Sequence, residues 1–182
     1  MTPMRADAEQ NRERILEVAR TALKASSAAS LQSIAKAAGV GQGTLYRHFP
    51  SREALLLAVY RHDVGELIDA APSLLAEHPP AEALRRWFER LAAYGRIKHG
   101  VGEAVEAATR ADLSGEFYEP VCAAITTLLD AGKRAGSVRP DVDAEDVLQL
   151  VGFLWRADFG VDREARTRHL LTLVMDGLKP RS

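Results

Sequence analysis

Three glycines in five residues, GVGQG at 39–43, are the first feature of this chain that could do chemistry. Closely spaced glycines can wrap backbone amides around a phosphate. That chemistry needs a strand feeding the loop and a Lys-Ser or Lys-Thr pair opening the next helix. Helix-forming residues precede these glycines and no such pair follows, so a phosphate loop is excluded. A nucleophile elbow fails too, because it needs a Ser between its glycines. Glu103 and Glu106 lie three apart but lack the Glu-x-x-His partners of a di-metal bundle. The five histidines, His48, His62, His78, His99 and His169, include no two at metal-ligand spacing. Cys122 is the single cysteine, which excludes an internal disulfide and a multi-cysteine metal site. A lone buried thiol is more often inert than a redox sensor. No enzyme, no metal and no cofactor are expected.

The elements that must hold GVGQG in place are helices. With 47% apolar and 27% charged residues over 182 positions, the chain is globular and long enough for a substantial core. Ile15, Leu16, Ala19, Ala22 and Leu23 recur at helical spacing in 11–25. Ser30 is a candidate N-cap for a short helix at 31–38, and Gly39 suits its C-terminus. A second short helix spans 42–49, Pro50 ends it, and Ser51 caps a long helix that follows. Pro72, Pro79 and Pro80 bracket a linker. Helices are expected at 81–97, 102–110, 117–135, 144–158 and 163–178, with Pro120 near a first turn and Asp143 and Asp162 as caps. That is an all-α fold of about nine helices. No apolar run approaches the roughly 20 residues of a membrane span. MTPMRADAEQNRERI at the start holds no signal-type apolar run either. A cytoplasmic protein with no membrane partner is expected.

LQSIAKAAGVGQGTLYRHF fits a helix-turn-helix. Such a motif needs two short helices crossing steeply over small contact residues, with Gly in the turn. Ile34, Ala35 and Ala38 supply the first helix, Gly39 the turn, Val40 an apolar plug and Leu45 the inner face of the second helix. Gln42, Thr44, Tyr46, Arg47 and His48 then point outward or to the far end, and none of them is acidic. A helix bound for a phosphate-lined groove needs that composition. Charge agrees: up to His62 nine Lys/Arg stand against five Asp/Glu, a net of +4, while the whole chain carries −1. A basic first third on an acidic body suits a polyanion at one end only. The competing reading is chance unevenness.

The run from Ile15 to Tyr60 resembles the N-terminal DNA-binding domain of TetR-family transcriptional regulators. IAKAAGVGQGTLYRHFPSREAL matches nearly every fixed position of that family's block. Gly41 departs from it, standing where the family often has a capping Ser. The resemblance implies a DNA-binding domain at 8–62 and an effector-binding and dimerisation domain at 63–182. It brings Gln42, Gly43 and Thr44 to base edges, where Gln can pair with adenine and Thr can meet a thymine methyl. Tyr46 and His48 would hold phosphates, and Arg47 either a phosphate or a guanine. Gln32 and Ser33 would face the groove edge or backbone, with Lys36 and Arg52 as further phosphate contacts. The alternatives stay open: Tyr46 partly core, Lys36 simply solvated.

WFERLAAYGRIKHGVGEAV and AGSVRPDVDAEDVLQLVGFLW resemble one recurrent class of TetR-family C-terminal domains. The implied function is a dimeric, ligand-responsive regulator, a repressor of a palindromic double-stranded operator released by a small-molecule effector. Trp87, Leu91, Tyr94, Phe117, Tyr118, Cys122, Ile125 and Trp155 are candidate pocket residues, most of them also suited to plain core. On the helix at 144–158, Val147, Leu150, Val151 and Leu154 form a wide apolar face. The last helix offers Leu170, Leu171, Val174 and Leu178, so the pair can build a symmetric four-helix dimer interface. The competing reading makes all eight monomer core. Rival functions, a non-DNA-binding helical adaptor or a nucleoid-type binder, explain only one half of the chain each.

Overall fold

The structure, a computed structural model, describes residues 3–26, 29–98, 115, 117–152 and 162–180. Among them are eight helices and no strand: α1 (Pro3–Ala25), α2 (Leu31–Ala37), α3 (Gln42–His48), α4 (Arg52–Glu77), α5 (Pro80–Lys98), α6 (Tyr118–Arg134), α7 (Ala144–Leu150) and α8 (Arg163–Gly177). The helix expected at 102–110 lies outside the described residues, as does the expected helix at 144–158 beyond position 152.

Three boundaries differ from the sequence expectation, the first being α7, which ends at Leu150 with Val151 as its C-cap rather than running to 158. α1 begins at Pro3 rather than at 11, with Pro favoured at a first helical position because its missing N–H costs nothing there. Its early residues from Asp7 to Gln10 are exposed, so apolar periodicity registers only the packed part. α4 continues through Pro72 instead of ending there. An interior proline removes one backbone bond and costs about 3 kcal/mol. Leu67, Ala71 and Leu74 are buried on both sides of it, and burying a Leu side chain stabilises by roughly 2 kcal/mol. The indole N–H of Trp87 also donates to the Leu67 carbonyl at 2.8 Å, in the turn before the proline. The linker shrinks to His78 and Pro79.

The chain divides into two compact units, Met1–Asp63 with Arg96–Ala111, and Val64–Gly95 with Asp112–Ser182. In the first, Ile15, Leu16, Ala19 and Leu23 of α1 meet Ile34, Ala35 and Ala38, Leu45 and Phe49, and Leu55, Leu56 and Val59 of α4 in one buried cluster. In the second, α6 packs against α7. Its core includes Leu84, Trp87 and Phe88 of α5 and Ile125, Leu128 and Leu129 of α6, with Trp87 and Phe88 edge to face at 5.9 Å. After α6 the chain doubles back over Gly132. Ser137 and Val138 both donate N–H to its carbonyl, and a Cβ at 132 would sit 2.4 Å from Val138 Cγ2.

Candidate nucleic-acid interface

The platform for GVGQG is built by local capping. Ser30 is extended (φ −83°, ψ 152°) and its hydroxyl accepts from the Ser33 N–H at 3.1 Å, starting α2. Gly39 ends the turn at φ +65°, a conformation that favours glycine. The Val40 N–H reaches back to Ala35 O at 3.0 Å, and Val40 packs on the core as its half-buried plug. Gly41 then starts α3 with no side-chain cap. Glycine in place of Ser there costs only a few tenths of a kcal/mol, whereas full burial of Leu45 stabilises by roughly 2 kcal/mol. The seat of Leu45, 1% exposed, therefore fixes α3. Phe49 closes the far end with its N–H on Leu45 O, and the Arg12 guanidinium lies 5.5 Å above the Phe49 ring.

Around that seat the expected side chains face outward. Gln42, Gly43, Tyr46 and Arg47 are exposed, Tyr46 by 50%, and Thr44 and His48 are half-buried. Tyr46 is thus not core. No acid occurs in α3, and Arg47 and His48 occupy its last turn, where a helix C-terminus favours cations. Arg47 lies back along its own helix, donating Nε–H to Gly43 O and Nη2–H to Thr44 Oγ1, both at 3.2 Å. Gln32, Ser33 and Lys36 are exposed on α2, which packs against α3.

Two of the residues expected to face DNA also bond within the chain. Ser33 donates its hydroxyl to Ser30 O at 2.7 Å, so its single proton is committed to the cap. Arg52 is half-buried and donates to the Ala29 carbonyl, tying down the chain that enters α2. Ser51, as expected, accepts from the Ala54 N–H at 3.2 Å.

Sequence reasoning missed a pair that braces this unit. Arg20 Nε of α1 lies 2.7 Å from Asp63 Oδ1 of α4. A signal for it existed: Asp63 interrupts the apolar stripe Leu56, Val59, Tyr60, Leu67, and Arg20 sits between Leu16, Ala19 and Leu23.

The candidate effector residues divide by burial. Trp87, Leu91 and Ile125 are buried core, and the one indole donor of Trp87 is spent on Leu67. Phe117, Tyr118 and Cys122 are half-buried at the start of α6. Burial raises the Tyr118 phenol, helped by the nearby Glu145 charge, and burial likewise raises the Cys122 thiol. A raised thiol is poorly ionised and reacts slowly. The Tyr94 side chain and Trp155 lie outside the described residues.

The candidate dimer residues divide as well. Val147, Val151, Leu171 and Leu178 are each at most 4% exposed within a single copy, so they serve its own core and cannot also meet a partner. Leu170 and Val174 are half-buried, and Leu154 lies outside the described residues. Leu150, at 55%, and Leu173, at 53%, are the exposed leucines of α7 and α8. Asp143 caps α7 through the Asp146 N–H at 2.8 Å. Asp162 precedes α8 without a side-chain cap bond, its φ of −96° and ψ of 21° being outside the extended range that a capping aspartate uses.

A helical unit that seats a short, acid-free helix behind a glycine turn defines a helix-turn-helix protein. The family model described as bacterial regulatory proteins, tetR family, matches residues 15–59. The model described as transcriptional regulator SbtR-like, C-terminal domain, matches residues 79–180. The chain belongs to the TetR family of transcriptional regulators. It is 30% identical to the HTH-type transcriptional repressor KstR2 of Rhodococcus jostii over 98% of both chains. Among solved structures it is similar to the TetR transcriptional regulator SCO0520 from Streptomyces coelicolor, at 40% identity and a TM-score of 0.77, covering 94% of this chain and 99% of that one. A TetR transcription regulatory protein from Mycobacterium vanbaalenii is similar at 32% identity and 0.73, covering 97% and 99%. No helix among the described residues is long and apolar enough to cross a membrane.

Proposed function

We propose that the chain is a ligand-responsive repressor, a homodimer that binds a palindromic double-stranded operator and releases it when a small molecule binds the C-terminal domain. Residues 8–62 form the DNA-binding domain and 63–182 the effector and dimerisation domain. One observation carries the DNA reading: α3 is seated by Leu45 and turns an acid-free face of Gln42, Gly43, Tyr46 and Arg47 to solvent. Gln42 pairs with adenine and Thr44 meets a thymine methyl. Tyr46, His48 and Lys36 hold phosphates with Gln32 beside them, and Arg47 takes a guanine or a phosphate.

Dimerisation supplies the second recognition helix, about one DNA turn or roughly 34 Å away. The exposed Leu150 and Leu173, with half-buried Leu170 and Val174, support an interface made by α7 and α8. Repression is supported by the relative from Rhodococcus jostii, which is a transcriptional repressor. The effector site is assigned to the neighbourhood of Phe117, Tyr118 and Cys122. An effector shifts the equilibrium only by its differential affinity for the bound and released states.

The test is selection of random duplexes on the full-length protein at two salt concentrations. An inverted repeat that survives higher salt supports an operator-reading dimer and measures the spacing of its two α3 helices. Binding without an enriched sequence that collapses in salt reduces the basic face to an electrostatic patch.

A further inference from the structure

We infer that Thr44 is a positioning residue for Arg47, and that the two act as one reading unit of α3. The inference rests on the DNA reading above and deepens it. Arg47 Nε–H and one Nη2–H are bound to Gly43 O and Thr44 Oγ1 at 3.2 Å each. A guanidinium has five N–H donors in a fixed plane. With the Nε–Nη2 edge facing its own helix, the edge left over is Nη1–Nη2, which presents two parallel N–H groups. That edge makes two parallel bonds to guanine O6 and N7, or to a phosphate. Thr44 Oγ1 serves as acceptor in this arrangement, which holds a long, rotamer-rich side chain in place before DNA arrives. The hydroxyl of Thr44 therefore works through Arg47, while its methyl is a separate contact.

Two substitutions separate those roles. Thr44→Val keeps the branched shape and a methyl and removes the acceptor. Thr44→Ser keeps the acceptor and removes the methyl. Each is made in the full-length protein, with Arg47→Ala and the double variant Thr44→Val/Arg47→Ala. All are assayed on the duplex most enriched by the wild-type chain, and each repeats the random-duplex selection. Thr44→Val should lose about three- to tenfold in affinity, the scale of one hydrogen bond. It should flatten the same operator position that Arg47→Ala flattens. Where Arg47 holds a phosphate, Thr44→Val should instead reproduce a uniform loss with a reduced salt slope. Thr44→Ser should retain the Arg47-dependent behaviour, and the double variant should lose no more than Arg47→Ala. Multiplying losses, or a Thr44→Val effect at a position Arg47→Ala leaves intact, overturns the inference. A wild-type chain that enriches no duplex overturns the DNA reading itself, which is a different result. Thermal melting of each variant separates a folding defect from a binding one.

Discussion

Arg20 of α1 and Asp63 of α4 form a buried ion pair, Nε to Oδ1 at 2.7 Å, with the Asp63 side chain 1% exposed. The pair joins the first helix of the DNA-reading unit to the long helix that follows α3. Removing one member takes a close ion-pair partner from the buried charge of the other, a loss on the scale of about 3 kcal/mol. Arg20→Leu is therefore expected to lose about 3 kcal/mol in urea denaturation, and Arg20→Leu/Asp63→Leu to lose less than the two single variants together. Additive losses would mean that the two side chains act independently.

Gly132 is required by contact rather than by backbone angle. A methyl group there meets Val138 Cγ2 at 2.4 Å and Cβ at 3.1 Å, and a buried β-branched side chain has little freedom to turn away. Gly132→Ala is expected to destabilise by about 1 to 3 kcal/mol despite the better helix propensity of alanine. Combining it with Val138→Ala should cost less than the two single losses together, read by chemical denaturation.

On α5, Glu82 accepts from Arg85 at 2.6 and 2.8 Å and from Arg86 at 2.7 Å. The bond from Arg85 is the main cause that lowers its carboxyl from 4.5 to about 2. A lowered folded-state pKa contributes stability above the unfolded value, and that contribution fades as pH falls from 4.5 through about 2. The melting curves of wild type and Glu82→Gln should therefore differ at neutral pH and converge near pH 2. The group is only half-buried, so added salt should shrink the difference.

Leu150 and Leu173 are the sharpest test of the proposed dimer. Leu150→Asp and Leu173→Asp should leave each single copy folded, because both side chains are exposed within one copy, and lower the melting temperature only through loss of the dimer. Both should shift the protein toward monomer in sedimentation. A dimer that withstands both substitutions places the interface elsewhere.

Local chemistry made much of this architecture legible. Ser30, Ser51 and Asp143 cap because their side chains bond amides three residues away. Gly39 announces its positive φ for the same short-range reason. Other features depend on what faces what across the chain. An apolar stripe on α7 does not say whether Val147 and Val151 meet their own chain or another copy; their burial in one copy does. Pro72 reads as a stop until the buried residues around it are known to outweigh the lost bond. The bond from Arg52 to the Ala29 carbonyl is not legible in sequence, because nothing there brings the two together. The exposed face of α3 was visible because Leu45 alone fixes the phase of so short a helix.

That economy has an evolutionary side. α3 has seven residues and a single buried one, Leu45. The positions that would touch a target carry little of the fold, and the one that carries the fold touches nothing outside. In the proposed reading, exchanging Gln42, Thr44 or Arg47 would change what is read without dismantling the support beneath it. A scaffold divided in this way can be retargeted by drift at a few surface codons, each intermediate still folded and still dockable.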